Sequence, residues 1–282
     1  MGAAIVRHLL EAGHQVTVFN RTREKTTAVA EAGARVASTP AEAARGADVA
    51  FSMLADDAAT EQIVFAEDGL SAGLAPGAIH VSNSTISLAM ARRLSSEHQA
   101  RGQVYVSAPV FGRPEAAAAK RLLVVAAGEE TALQRVKPLL DAIGRGTMVV
   151  GSEPWQANAI KLCGNFMIMS LIETFAEAFA TLRKAGVDHH LFLEVMNELF
   201  ASPVYKNYGG ILADRRYLPV SFFLRLGLKD ASLVLDAAQE MGAQMPIAEL
   251  VRDKMVAALE QGMGEWDWSS FAEIAAQKAG LS

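Results

Sequence analysis

The stretch Met1-Gly2-Ala3-Ala4-Ile5-Val6-Arg7-His8-Leu9-Leu10-Glu11-Ala12-Gly13-His14-Gln15-Val16-Thr17-Val18-Phe19-Asn20-Arg21-Thr22 decides the fold. Ile5 to Leu10 reads as an amphipathic helix, Ala12-Gly13-His14 as its end, and Val16 to Phe19 as a strand. In that order they form the back half of a βαβ unit of the dinucleotide-binding kind. The front half of such a unit is a buried strand followed by a G-x-G-x-x-G turn, which brings backbone close to a pyrophosphate at a helix N-terminus. Only the last of those glycines has a counterpart, Gly2. The sequence therefore predicts a doubly wound parallel sheet without its first strand. That strand is normally central, so two facing strand edges and a groove in the core are expected in its place.

Composition sets the frame around this stretch. The chain has 282 residues, 51% of them apolar, enough for two domains with a sizeable core. A net charge of −5 argues against a nucleic-acid partner, which usually needs a basic face. The single cysteine, Cys163, excludes an intramolecular disulfide and fits a reducing, cytoplasmic setting. No apolar run of the roughly 18 to 20 residues needed for a membrane span is expected, and no charged segment precedes an apolar one at the N-terminus.

Residues 1–150 alternate β-like runs with helical patterns. Strands are expected at 15–19, 34–37, 48–53, 78–82, 103–106, 121–127 and 147–150. Helices are expected between them at 3–12, 22–32, 40–46, 56–65, 87–101 and 129–142. Strands separated by helices of this length imply a mainly parallel sheet covered on both faces. The pattern changes after Gly151-Ser152-Glu153-Pro154. One long helix is predicted from Trp155 to Lys184, then helices at 188–199, 203–213, 220–240, 246–261 and 268–279. The reading is an α/β domain over 1–152 and an all-α domain over 153–282.

Several groups in this frame suit chemistry. Phe19-Asn20-Arg21-Thr22-Arg23 ends the second strand of the βαβ unit, where an acidic residue would accept ribose hydroxyls. Asn20 has no charge to repel a 2′-phosphate, and Arg21 or Arg23 can neutralise it. The competing reading is a solvated turn with a helix cap at Thr22. Lys161 and Asn165 are four residues apart on the long helix, which puts them on one face about 6 Å apart at Cβ. Ile160, Leu162, Phe166 and Met167 around them are apolar. A partly desolvated lysine can serve as a general acid or base near neutral pH, and an adjacent amide can hold a substrate oxygen. The plainer reading is a snorkelling lysine beside a solvated asparagine. Lys229-Asp230 alone reads as a solvated charged pair. In Ser107-Ala108-Pro109-Val110-Phe111-Gly112-Arg113-Pro114, Gly112 frees the backbone and Arg113 offers a fork for a carboxylate, unless this is only a tight turn before a short helix. His8, His14 and His80 show no metal spacing and read as surface or packing residues. Phe166, Met167 and Met169 read as core.

Together these segments resemble the β-hydroxyacid dehydrogenases, the family of 3-hydroxyisobutyrate dehydrogenase, tartronate semialdehyde reductase and the glyoxylate/succinic semialdehyde reductases. The resemblance is carried by six elements in order: Ala12-Gly13-His14 with Val16 to Thr22; Met53-Leu54-Ala55-Asp56; Asn83-Ser84-Thr85; Ala108-Pro109-Val110-x-Gly112; Lys161-Leu162-x-x-Asn165; and Leu228-Lys229-Asp230. It implies a Rossmann domain, a helical C-terminal domain and a homodimer or homotetramer built through the latter. By resemblance, Lys161 moves the proton of the carbonyl or hydroxyl group and Asn165 orients that oxygen. Gly2, Asn20, Arg21, Thr22, Met53, Leu54, Ala55 and Thr85 line the cofactor site, and Lys229 reaches the nicotinamide or active site from the helical domain. Phe111, Gly112 and Arg113 stand in the substrate loop, where the family usually has a serine before two glycines. Glu153-Pro154-Trp155-Gln156 replaces the G-x-G turn before the catalytic helix. The expectation is an NADP-dependent oxidoreductase (NAD remaining possible) of a small carbonyl or hydroxy-acid substrate. The alternatives are a non-catalytic, weakly cofactor-binding member and an imine reductase.

Overall fold

From Met1 to Gly151 helices and strands alternate in the computed structural model, which describes residues 1–281. The order is α1 (Gly2–Glu11), β1 (Thr17–Val18), α2 (Thr27–Ala30), β2 (Arg35–Val36), α3 (Pro40–Ala44), β3 (Val49–Ser52), α4 (Asp57–Phe65), α5 (Leu70–Gly73) and β4 (Ile79–Ser82). It continues with α6 (Leu88–Ala100), β5 (Val104–Ser107), β6 (Val110–Phe111), α7 (Pro114–Ala118), β7 (Leu122–Ala127), α8 (Glu130–Ile143) and β8 (Gly144–Gly151). Side-chain caps start three of the helices that follow strands. Thr39 accepts from Glu42 N–H at 3.1 Å ahead of α3, Asp56 from Ala59 N–H at 2.8 Å ahead of α4, and Ser87 from Met90 N–H at 2.9 Å ahead of α6.

β3, β4 and β5 are parallel and in register, with Val49 opposite Ile79 and Ile79 opposite Val104. β7 pairs antiparallel with β5 and with β6, and parallel with β8, so the sheet is mixed at this side. β4 is buried on both faces, the signature of a strand with helices above and below. Ile5 and Leu9 of α1 join Ile79, Val81, Val106, Val124, Val136 and Leu140 in one core. β1 and β2 form a separate parallel pair, Thr17 opposite Arg35. Among the described residues no strand joins β1 to β3. A cavity of about 1390 Å³ lies there, lined by Val16 to Phe19 on one side and Val49 to Met53 on the other. The described residues thus form a two-stranded and a six-stranded sheet with this cavity between them.

The chain divides into two compact units inside α9 (Trp155–Lys184), after Lys161. The second unit is all helical: the rest of α9, then α10 (His189–Phe200), α11 (Pro203–Ala213), α12 (Leu224–Glu240), α13 (Pro246–Glu260) and α14 (Glu273–Lys278). Its core gathers Met169, Ile172, Phe175, Leu212, Leu224, Val251, Met255 and Phe271. Gly227 lets α12 close on Trp268, since a Cβ there would lie 2.9 Å from the Trp268 side chain. Glu173 is buried and is held by Lys254 Nζ at 2.6 Å, a pairing that a carboxylate inside a helical core requires.

Three expectations need correction. The helix expected from 220 begins at Leu224, because Phe223 bridges Asp267 in extended conformation. The segment expected as one helix over 268–279 starts with a 3-10 turn at Trp268–Ala272. α9 does reach the length and apolar character of a membrane span, although half of its most apolar stretch is buried within the protein.

Candidate functional site

The cavity between β1 and β3 collects most of the expected cofactor residues. Gly2, Asn20, Arg21, Thr22, Met53, Leu54 and Ala55 all line it; Thr85 and Lys229 do not. Gly2 is the first residue of α1, so the helix N-terminus opens here. Asn20 Nδ2 donates to Thr22 O at 2.8 Å and shapes the turn after β1. Thr22 occupies the cap position of the following 3-10 turn, yet its side chain makes no capping bond. The charged residues of the lining are Arg21, Lys25, Arg35, Arg45 and Arg135 against one carboxylate, Asp48. In a chain of net charge −5 this concentrates positive charge around the cavity. Asn83 also lines the cavity, is buried, and has an Oδ1 with no hydrogen-bond partner while its Nδ2 donates to Ala108 O at 2.6 Å. That unspent acceptor is available to a hydrogen-bonding group entering the cavity.

The Met53-Leu54-Ala55 loop is fixed from beneath. Leu54 N–H donates to Ser84 Oγ at 2.8 Å, and Asn83 N–H to Ser52 O at 2.8 Å. Asp57 Oδ1 accepts from Ser87 N–H at 3.0 Å. Thr85, half-buried, follows Ser84 in this tied turn. Below it runs a buried chain that the sequence does not advertise. Gln103 Nε2 donates to Ser71 O and Leu74 O, so its Oε1 accepts from His98 Nδ1 at 2.7 Å. His98 Nε2 then accepts from His80 Nδ1 at 2.9 Å, and His80 Nε2 accepts from Ser52 Oγ at 2.8 Å. Burial, with His98 adding to it, pushes His80 well below the ordinary histidine range; burial also lowers His98. His80 is thus a packing residue, as expected, but one embedded in a polar relay. His8 packs through Nε2 against Ala117 O at 2.8 Å, and His14 is exposed.

Lys161 is buried, with Nζ 4.0 Å from the centroid of the Phe111 ring. A cation over a ring face is favourable and holds the ammonium at the substrate loop. Phe111 closes β6, and Gly112 follows at φ +139°, where a Cβ would meet Leu122 Cδ2 at 2.7 Å. Only glycine fits this turn. Arg113 is the half-buried N-cap residue of α7. Three residues before Lys161, buried Asn158 takes Ser107 Oγ–H on its Oδ1 at 2.5 Å and ties α9 to the end of β5. Asn158 was not singled out by the sequence; its i, i+3 spacing from Lys161 is the signal that could have found it.

In the helical unit Asn165 is buried and donates through Nδ2 to Asp230 Oδ2 at 2.6 Å. Asp230 is 1% exposed, and its other oxygen pairs with Lys229 Nζ at 2.8 Å. Lys229-Asp230 is therefore no solvated pair. Asp230 is the group that sets the Asn165 amide, a role the sequence reading did not assign. The apolar surround expected for Lys161 and Asn165 is mixed: Leu162 is buried and Phe166 half-buried, whereas Ile160 and Met167 are exposed; of the methionines expected in the core, Met169 is buried and Met167 is not.

Residues 1–151 match the NAD binding domain of 6-phosphogluconate dehydrogenase, and residues 156–275 match the NAD-binding domain of NADP-dependent 3-hydroxyisobutyrate dehydrogenase. The chain is 43% identical over 270 residues to the uncharacterized oxidoreductase YfjR of Bacillus subtilis, covering 96% of this chain and 94% of that one. It is 30% identical over 274 residues to the chloroplastic glyoxylate/succinic semialdehyde reductase 2 of Arabidopsis thaliana, covering 97% of this chain and 76% of the relative. Among solved structures, Mycobacterium tuberculosis 3-hydroxyisobutyrate dehydrogenase with L-serine superposes with a TM-score of 0.86 at 26% identity, over 97% of this chain and 95% of that one.

Proposed function

The chain belongs to the β-hydroxyacid dehydrogenases, NAD(P)-dependent oxidoreductases of CH–OH groups, and we propose that it uses NADP to interconvert a small carbonyl compound and its alcohol or hydroxy acid. The observation that carries the cofactor choice is Asn20 in the cavity lining, where a carboxylate would repel a 2′-phosphate, with the cation Arg21 next to it. Gly2, Asn20, Arg21, Thr22, Met53, Leu54 and Ala55 hold the cofactor in this reading, with Thr85 and Lys229 assigned by family resemblance. Bound nicotinamide supplies or accepts the hydride. Lys161 Nζ gives the proton to the carbonyl oxygen in reduction and takes it back in oxidation. Asn165, fixed by Asp230, orients that oxygen. Phe111 and Gly112 shape the pocket, and Arg113 provides the fork for a substrate carboxylate.

A charge-assisted phosphate contact is worth about 1.5 to 3 kcal/mol, so NADPH should bind at least about tenfold tighter than NADH. Fluorescence titration of both reduced cofactors tests this; equal affinity, or tighter NADH, overturns the NADP assignment. An NADPH-dependent screen over semialdehydes, α-keto acids and cyclic imines then separates a carbonyl reductase from an imine reductase.

A homodimer or homotetramer through the helical unit is part of the same proposal. α10 buries none of its residues and exposes Leu191, Val195 and Leu199, a stripe at i, i+4, i+8 that suits a second copy. Cytoplasmic placement rests on the free thiol of Cys163.

A further inference from the structure

We propose that Asp188, His189 and His190, at the start of α10, bind one divalent transition-metal ion of the zinc type. Asp188 Oδ1 and one ring nitrogen of each histidine lie within 4.8 Å of one another. His190 Nδ1 is 3.2 Å from Asp188 Oδ1, and His189 Nδ1 is 4.0 Å from it.

The opposite ring nitrogens decide what those atoms carry. His189 Nε2 lies 3.1 Å from Ala213 O, and a carbonyl can only accept. Nε2 therefore bears the hydrogen, and Nδ1 of the neutral ring bears a lone pair. His190 Nε2 lies 3.1 Å from Asp214 Oδ1, and a carboxylate also only accepts. A neutral His190 ring takes the same tautomer. With both rings neutral, two nitrogen lone pairs face Asp188 Oδ1, at 3.2 and 4.0 Å, an arrangement that positive charge relieves. A proton on His190 relieves one of the two contacts and leaves His189 facing the carboxylate. A metal ion relieves both.

The surroundings are those a metal site needs. Each ligating imidazole has its other N–H held by a carbonyl or a carboxylate, which fixes ring orientation and raises ligand basicity. Two carboxylates, Asp188 and Asp214, supply negative charge, and Arg216 Nε anchors the second at 3.0 Å. Asp188 is itself fixed as the N-cap, accepting from His190 N–H at 2.9 Å. Two imidazoles and one carboxylate suit zinc, nickel, copper or cobalt rather than the oxygen-seeking calcium and magnesium. With three protein ligands, a fourth position is left for water. Because Ala213 and Asp214 close α11, an ion here would tie the start of α10 to the end of α11.

The test uses the tag-free full-length protein. Zinc chloride titrated calorimetrically at pH 7.5 should give one site per chain with micromolar affinity, and cobalt chloride should give visible d–d absorption at the same stoichiometry. His189→Ala/His190→Ala should abolish both signals. Asp188→Asn keeps a capping oxygen, and Asp214→Asn removes the carboxylate behind His190. Each should weaken zinc about tenfold or more, which keeps the proposal falsifiable should the double variant fail to fold. No saturable zinc binding by the wild-type protein overturns the proposal. So does binding that Asp188→Asn and Asp214→Asn leave unchanged.

Discussion

Two parts of the first unit are built from the same alternation and end up unlike each other. β4 is buried at all four residues, whereas β1 is only half-buried and Arg35 of β2 is exposed. Several polar groups of the six-stranded sheet are spent within the fold. Ser52, His80, His98 and Gln103 form one relay, and Ser107 holds Asn158. Around the two-stranded pair the charged groups stay exposed, and Arg21, Lys25 and Arg35 face a cavity. A polar group already bonded within the fold fixes geometry, and one left accessible is available to a ligand. In this account the β1–β2 side binds, and the sheet that ends at Phe111 and leads into Lys161 reacts.

The largest expected effect breaks the two roles apart. Lys161→Ala should lower turnover by roughly 10² to 10⁴-fold while NADPH affinity stays at its wild-type value. Lys161→Arg should not restore the rate, because a guanidinium does not cycle its proton. Stopped-flow hydride transfer beside a cofactor titration reads both quantities. A variant that keeps more than about a tenth of the wild-type rate removes Lys161 from the chemistry. Next in size, Gly112→Ala adds a Cβ at φ +139° and 2.7 Å from Leu122. It should cost about 1 to 3 kcal/mol, a fall of about 2 to 4 °C in Tm per kcal/mol in calorimetry. An unchanged Tm would mean the substrate loop is not held as described.

The smallest effect is one of pH. His80 and His98 are held below the ordinary histidine value in the fold and recover it on unfolding. Between the two values the unfolded chain binds more protons. The stability these residues contribute is therefore complete above about pH 6.5 and is lost as pH falls toward the folded values. Chemical denaturation at pH 7.5 and 5.5 should show the loss, and replacing both histidines by leucine should reduce it. A pH dependence identical in the double variant would remove the relay as its source.

Much of this was legible in the sequence, and the gaps have physical reasons. α9 is found where it was expected, Trp155–Lys184, because the run contains no proline and one glycine. The strands of the parallel sheet stand out as apolar runs between helical periods. β6 was missed, since two residues between Pro109 and Gly112 carry no periodicity and are strand only by pairing with β7. Asp230 looked solvated because its burial depends on Asn165, 65 positions away. The histidine relay was invisible for the same reason: His80 meets Ser52 and His98 only once the sheet forms. Local chemistry is written locally, and a side chain whose partners lie on other strands is not.

Hydrogen exchange with and without NADPH tests the division between a binding side and a reacting side most directly. Without cofactor, residues 1–60 should exchange fast and the α9 segment around Lys161 slowly. NADPH should slow exchange in residues 15–60 and leave the α9 segment nearly unchanged. Equal protection of the two regions, with no response to NADPH in residues 15–60, would contradict the account.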